Sequence, residues 1–366
     1  MRRGGDSVRE RRGVPATHRP VETAVRFVAV FGRRPVTTSD ALEAGFTRHQ
    51  LRSAVRRGLL ATPRHGIVVA ATLDDSPVTA DEPVDDAWVV RRQSHVAEVR
   101  AALTAVGPGA FATGESAAAV LGLATPRPSP SDVVTLCLPG CRDYSGPRLV
   151  VRGSPIDARF VTHVDGIPCT DLRRTAVDLA RGRSLAAALI PLDAAARRLV
   201  SRASGTPDDA PADRLRRDVH DERWRDVARR ELAYAVASAS GWPGIVAARR
   251  ALAYVEPAAE SPLESRSRAW FVAAGLPRLE IGVAIPVRDR RYWADFCDRQ
   301  ARVIGEADGW TKYGITHEAV RDRLAAERTR QRDLEQEGWR VVRWTSTDTR
   351  EQVVARMQAA VAPHHP

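Results

Sequence analysis

The chain has 366 residues, enough for two or three domains with hydrophobic cores of their own. Apolar residues make up 43% of the chain, which argues against wholesale disorder, and no apolar run reaches the roughly 18–20 residues of a membrane span. The cysteines show neither a C-x-x-C pair nor zinc-ligand spacing, so reduced thiols in a cytoplasmic protein are expected at Cys137, Cys141, Cys169 and Cys297.

The net charge of +11 is concentrated near the amino terminus. Residues 1–70 contain 14 arginines against 5 acidic residues, a local net charge of +9. A local basic excess is the electrostatic footprint expected of a protein that binds nucleic acid. For residues 1–20, which are rich in Arg, Gly and Pro, a disordered basic arm is the plainer interpretation.

Residues 21–72 predict three helices followed by a small hairpin, the element order of a winged helix-turn-helix. Apolar residues at helical spacing predict the first helix over 21–32. Residues 38–40 offer N-caps for a short second helix, and Thr47 caps a third helix that stops at Gly58. Two short β-like runs then form the predicted wing.

The third helix of this module is expected to enter the major groove of double-stranded DNA. Leu51, Ala54 and Val55 fall on its inner face, which leaves basic and polar side chains on the outer face. A small helical domain with solvated arginines is the structural alternative. The predicted DNA contacts are Arg48, His49, Arg52 and Arg56 on the helix, with Arg64 or His65 on the wing.

The stretch VTTSDALEAGFTRHQLRSAVRRGLLATPRHGIVVA (36–70) resembles the winged helix of AbiEi-type antitoxins, the autorepressors of type IV toxin–antitoxin systems. The resemblance continues at ATGESAAAVLGL (112–123) and GIPCTDLRRTAVDLAR (166–181), and it covers about half of the chain. The chain departs from the family pattern at residues 66–68, where an aromatic is usual. The resemblance implies a DNA-binding regulator whose partner is a cognate toxin or another neighbouring gene product.

Residues 85–200 mix helical and strand patterns and predict an α/β middle domain with a surface for a homodimer or a partner protein. Thr170 is expected to cap a helix in which Asp178 and nearby arginines form structural ion pairs. Residues 201–221 predict a linker, and residues 222–256 a helical connector. The predicted elements of the middle domain are a helix over 112–123 and strands over 133–138, 149–152 and 159–164.

Residues 257–362 predict the order helix, three strands, helix, strand, helix, which is the core order of restriction-endonuclease-like, PD-(D/E)XK-type domains. Ser261 is the expected cap of the first helix, with Pro262 in its first turn. The predicted elements are helices over 261–276, 317–337 and 348–361 and strands over 279–287, 291–298, 301–307 and 339–345.

The acidic residues on these strands suit metal-dependent cleavage of a phosphodiester. Residues two apart on a strand face the same way, so Glu306 and Asp308 are expected to converge with Asp295 on one Mg²⁺ ion. Lys312, the single lysine among 56 basic residues, is placed to stabilise the attacking hydroxide or the phosphate charge. Two roles stay open for Glu264: it could complete a Ser-x-x-Glu capping box, and it could support the metal.

The same region resembles domains akin to the very-short-patch-repair endonucleases. The resemblance implies metal binding by Asp295 and Glu306, with Glu264 in support. The family places a lysine two residues after the glutamate, and this chain has Asp308 there. The matching segments are SPLESRSR (261–268), DF (295–296), GEADGWTKYG (305–314) and EGWRVVRWT (337–345).

The sequence thus predicts an α+β multidomain protein of the cytoplasm, with a winged helix, a middle domain and a nuclease-like domain. The first functional hypothesis is an antitoxin-like transcriptional regulator. The second is a Mg²⁺-dependent DNA endonuclease targeted by the winged helix. The third hypothesis is a purely structural interaction protein, which gives the uneven charge distribution no role.

Overall fold

The part of the chain that the structure describes is mixed α/β with three β-sheets, and the chain divides into two compact units. The computed structural model describes residues 18–71, 84–127, 131–207, 210–276, 279–308 and 317–362. Within these ranges, no helix combines the length and the apolar character that crossing a membrane requires. The first unit contains residues 1–77 and 97–110, and the second contains residues 78–96 and 111–366.

The first unit packs short helices against a three-stranded antiparallel sheet of order β1-β3-β2. The predicted helices and hairpin are present, and the C-terminal part of α4 joins them. The elements are α1 (His18–Phe31), β1 (Val36–Thr37), α2 (Thr38–Glu43), α3 (Arg48–Arg56), β2 (Leu60–Ala61), β3 (Ile67–Ala70) and α4 (Val84–Val106).

Aromatic packing fixes the orientation of α1. The rings of Phe27 and Phe46 lie 5.7 Å apart in an edge-to-face arrangement, and both side chains are buried. Val21, Val25 and Val28, three of the apolar residues whose spacing predicts the helix, are exposed; Val25 keeps 64% of its surface in solvent. The helical period was therefore correct, but the aromatic side of α1 faces the core.

The caps of two helices differ from the predicted ones by one residue. Thr37 caps α2, because its hydroxyl accepts a hydrogen bond from the Asp40 amide at 3.0 Å. Asp171, and not Thr170, caps the helix that follows it, because its carboxylate accepts from the Arg174 amide at 2.9 Å. Both caps satisfy amides that have no partner within their helix.

The second unit contains a six-stranded sheet of order β6-β7-β5-β4-β9-β8 and a four-stranded sheet of order β10-β11-β12-β13. Its first part comprises β4 (Phe111–Ala112), α5 (Gly114–Leu121), β5 (Val134–Cys137), β6 (Tyr144–Ser145), β7 (Leu149–Arg152), β8 (Val161–Val164), β9 (Ile167–Thr170), α6 (Leu172–Ala180) and α7 (Leu185–Ser204). Its second part comprises α8 (Ala212–Asp218), α9 (Glu222–Ser238), α10 (Ile245–Leu252), α11 (Pro262–Ala273), β10 (Glu280–Val287), β11 (Arg290–Asp298), β12 (Val303–Asp308), α12 (His317–Gln336), β13 (Arg340–Thr345) and α13 (Arg350–Val361).

The segment predicted as a linker, 201–221, lies within the second compact unit. It contains α8, and the hydroxyl of Thr206 is hydrogen-bonded to Asp218 across it. From α8, Arg216 binds both carboxylate oxygens of Glu260, at 2.9 and 3.0 Å. Pro211 therefore precedes a short helix whose last residue, Asp218, is bonded to Thr206, and the middle and C-terminal regions share one compact unit.

A buried ion pair joins these two regions. Asp193 on α7 has no exposed surface, and it accepts hydrogen bonds from Arg268 Nη2 of α11 at 2.7 Å and from the Glu256 amide at 2.9 Å. Arg268 also donates to the carbonyl oxygen of Tyr254. Since a buried charge is costly without partners, this pair fixes α11 against α7.

The four-stranded sheet packs one aromatic cluster beside α11. The Phe271 and Trp344 ring centroids lie 5.5 Å apart, and Trp344 Nε1 donates to Ser267 Oγ at 2.8 Å. Gly305 on β12 allows this close packing, because a Cβ atom there would lie 2.8 Å from the Trp344 ring. The middle of β12 is thereby held close to α11.

We expect Asp193→Ala to reduce the free energy of unfolding by about 3–5 kcal/mol, because it leaves the Arg268 guanidinium buried without its carboxylate. Chemical denaturation monitored by circular dichroism measures this change. Arg152→Ala is the matched control, because the Arg152–Asp143 pair is half exposed and should cost less than about 1 kcal/mol. Equal losses in the two variants would contradict the importance of the buried pair.

Candidate functional site

The helix α3 separates an apolar face from a basic face. Thr47 caps it, accepting from the Gln50 amide at 3.2 Å, while the Gln50 side chain accepts from the Thr47 amide at 2.9 Å. Leu51 and Ala54 are buried against the core of the first unit. The residues left exposed are Arg48, His49, Arg52, Arg56 and Arg57.

Four of the five predicted DNA-contacting residues therefore lie together on one exposed surface, and Arg64 does not join them. Arg64 is half-buried, and its guanidinium lies 3.5 Å from the carboxylate of Glu98 on α4. His65, the alternative wing residue, is exposed in the turn between β2 and β3. The hairpin thus presents an imidazole, while its arginine ties the hairpin to α4.

A cavity of about 380 Å³ lies beside α3. Three arginines of the helix border it, and apolar side chains of the helix and of β3 supply much of its lining. The combination offers guanidinium donors next to an apolar surface. The cavity is lined by Thr38, Arg48, Leu51, Arg52, Val55, Arg56, Thr62 and Val68.

In the second unit, carboxylates from three elements come together. Glu264 lies in the first turn of α11, Asp295 on β11 and Glu306 on β12. The β11–β12 register pairs Phe296 with Gly305, so Asp295 stands opposite Glu306. The Asp295 carboxylate accepts a hydrogen bond from the Ala307 amide at 2.8 Å.

Arginines surround these carboxylates. Arg330 Nη2 on α12 donates to Glu306 Oε1 at 2.5 Å and to the Trp293 carbonyl oxygen at 2.8 Å. Arg343 lies opposite Glu306 in the β12–β13 register and donates to Asp308 at 3.3 Å.

Two of the carboxyl groups hold protons unusually tightly. Burial raises the pKa of Glu264 to about 8, and the nearby charge of Asp295 adds to the effect. Burial likewise raises the pKa of Glu306 to about 8, with Asp295 contributing and Arg330 opposing. Both side chains are more than nine-tenths buried.

Glu264 forms only half of the predicted capping box. Ser261 Oγ accepts from the Glu264 amide at 3.2 Å, which caps α11. The Glu264 carboxylate accepts from the amide of Glu260 at 2.8 Å, one residue before the cap. Its side chain therefore lies at the carboxylate cluster and not in a solvated cap.

The oxygen donors of this cluster match Mg²⁺ in chemistry but not in arrangement. Among the described residues, no three Asp, Glu, His or Cys side chains converge closely enough to hold a metal ion. Asp308, a predicted ligand, is paired with Arg343, and Lys312 lies outside the described residues. The residues that the structure describes therefore do not form the predicted magnesium site.

The arginines of this cluster were not among the predicted site residues. The polar residues Glu327, Arg328 and Gln331 interrupt the apolar face predicted for α12, but Arg328 and Gln331 are exposed. Arg330 lies three residues after Glu327 and four before Leu334, which is fully buried. Counting back from Leu334 at helical spacing would have identified Arg330 as the inward-facing residue.

Comparison with known proteins adds a partial sequence likeness. No family model matches the chain. Two curated relatives, from two strains of Mycobacterium tuberculosis and both described as uncharacterized proteins, are 33% identical to it over 138 residues. The match covers 37% of this chain and 49% of each relative, so the chain spans about half the length of the curated relatives it matches.

We expect the stability of the protein to fall as the pH rises from about 4.5 to 8, because folded Glu264 retains a proton that the unfolded chain releases. Glu264→Gln should flatten this dependence by up to about 1.4 kcal/mol per pH unit. Denaturant unfolding at several pH values measures it. Glu351→Gln, at an exposed position of α13, should leave the slope unchanged. If the two variants gave the same slope, the buried Glu264 carboxyl would not be the source.

Proposed function

We propose that the protein is a cytoplasmic DNA-binding protein, an antitoxin-like transcriptional regulator whose first unit is a winged helix-turn-helix. The observation that carries the proposal is the exposed basic face of α3. In the described part of the chain, Arg48, Arg52 and Arg56 form no ion pair with an acidic side chain. Guanidinium groups held by one helix and left in solvent are suited to phosphates and guanine edges.

The cavity beside α3 supports the same proposal. Bases differ in the major groove by apolar as well as polar groups, and thymine presents its methyl group there. Leu51 and Val55 line the cavity between the arginines, so the surface offers both kinds of contact. We expect α3 to lie in the groove and His65 to approach the backbone.

We expect Arg52→Ala combined with Arg56→Ala to weaken binding to promoter DNA and to reduce the slope of log K against log salt by about 2, one counterion for each lost phosphate contact. Fluorescence anisotropy at several salt concentrations measures both quantities. Folding is checked by thermal unfolding of the same variant, because the two side chains are exposed and should not contribute to the core.

The matched control is Arg249→Ala with Arg250→Ala. These arginines are exposed on α10 of the second unit, and their substitution removes the same net charge. The control should leave affinity and salt slope close to those of the unmodified protein. An α3 variant that keeps its salt slope, or a control that loses as much, would count against the proposal.

A second candidate function is a Mg²⁺-dependent DNA endonuclease. One observation favours it: Asp295 on β11 lies near enough to Glu264 on α11 and to Glu306 on β12 for its charge to raise the pKa of both glutamates. We expect such an enzyme to lose metal-dependent nicking of supercoiled plasmid in Asp295→Asn and Glu306→Gln while keeping its DNA affinity. Pure unmodified protein that leaves the plasmid intact with Mg²⁺ and with Mn²⁺ would remove this candidate.

A further inference from the structure

We infer that Arg330 is the resident cation of the C-terminal carboxylate cluster and that this cluster takes no divalent metal ion. The inference goes beyond the proposed DNA binding, which rests on the other unit. It also assigns a role to an arginine on which the DNA-binding proposal does not depend, and it opposes the second, metal-dependent candidate.

Three elements hold the Arg330 guanidinium. Its Nη2 atom donates to Glu306 on β12 at 2.5 Å and to the main-chain oxygen of Trp293 on β11 at 2.8 Å. Its Nη1 atom donates to Glu327 on α12 at 3.2 Å. The side chain is 15% exposed, and that of Glu306 is 8% exposed. A metal ion at Glu306 would have to displace the Arg330 guanidinium, whose N–H groups bind acceptors on two strands and a helix.

A second arginine, Arg343, binds acidic side chains at the edge of the cluster. Arg343 donates to Asp308 and to Glu327, so Glu327 bridges it to Arg330. Arg343 and Glu306 are opposite each other on parallel strands, which fixes the spacing of this chain of charges. The arrangement is continuous from Glu306 to Asp308.

The other predicted metal ligands are engaged by the main chain. Asp295 Oδ2 accepts from the Ala307 amide and Glu264 Oε2 accepts from the Glu260 amide, both at 2.8 Å. Mg²⁺ requires near-octahedral oxygen ligands and retains several waters. A guanidinium is always charged and weakly hydrated, so it suits a buried cluster of this kind better.

The experiment compares two substitutions of similar size at the same position. Arg330→Lys keeps a positive charge, and Arg330→Met keeps only the apolar stem. We expect Arg330→Met to lower the Tm by on the order of 10 °C, because it removes the hydrogen bonds to the buried Glu306, to the Trp293 oxygen and to Glu327, and we expect Arg330→Lys to retain most of the lost stability. Arg328→Ala, exposed on the same helix, should not change the Tm.

Isothermal titration of Mn²⁺ and of Mg²⁺ onto the unmodified protein tests the second half of the inference, and it remains informative if Arg330→Met fails to fold. We expect no binding heat and no change in Tm with either ion. Binding that Glu306→Gln abolishes would overturn the inference, as would a Met variant as stable as the unmodified protein. DNA affinity is a separate measurement, so the inference and the proposed function can fail independently.

Discussion

The buried pair of Asp193 and Arg268 is the constraint on which the larger unit depends. It joins α7, which lies among the helices of the middle region, to α11, which leads into the four-stranded sheet. The orientation of α11 then places Ser267 under the Trp344 indole and Glu264 next to Asp295. One ion pair thereby connects the hydrophobic packing of the sheet to the geometry of the carboxylate cluster.

Arginine side chains offset most of the cost of burying the acidic side chains of this cluster. Carboxylates removed from water require a cation, a hydrogen-bond donor or a proton. Glu260 and Glu306 have guanidinium partners, at Arg216 and Arg330. Glu264 accepts a hydrogen bond from the main chain, and its raised pKa, like that of Glu306, means that a bound proton also offsets the cost of burial.

The smaller unit uses its positive charge in two ways. Arg26 and Arg64 serve the fold: Arg26 donates to the main-chain oxygen of Ala44 at the end of α2, and Arg64 pairs with Glu98. The arginines of α3 remain in solvent. The exposed arginines of α3 therefore concentrate part of the excess positive charge on one defined surface, and composition alone does not predict that surface.

Much of the secondary structure was accessible from the sequence, because it depends on local periodicity and caps. The strands β10 to β12, the helix α12 and the Thr47 cap lie within a few residues of their predicted positions. Boundaries shifted where two adjacent residues compete for one cap, as at Thr37 and Asp171. The segment predicted as a linker contains the short helix α8, because Pro and Asp are also residues that start short helices.

The sequence by itself determined the basic amino-terminal segment, the two-sided character of α3 and the acidic residues of the last sheet, because each follows from residue type and spacing. Only the tertiary structure decided which charges meet. Arg330 and Glu306 are far apart in the chain, as are Arg64 and Glu98, and their pairing depends on how helices cross the sheets. The sequence therefore indicated a metal site from its acids, and the fold supplied the arginine that stands among them.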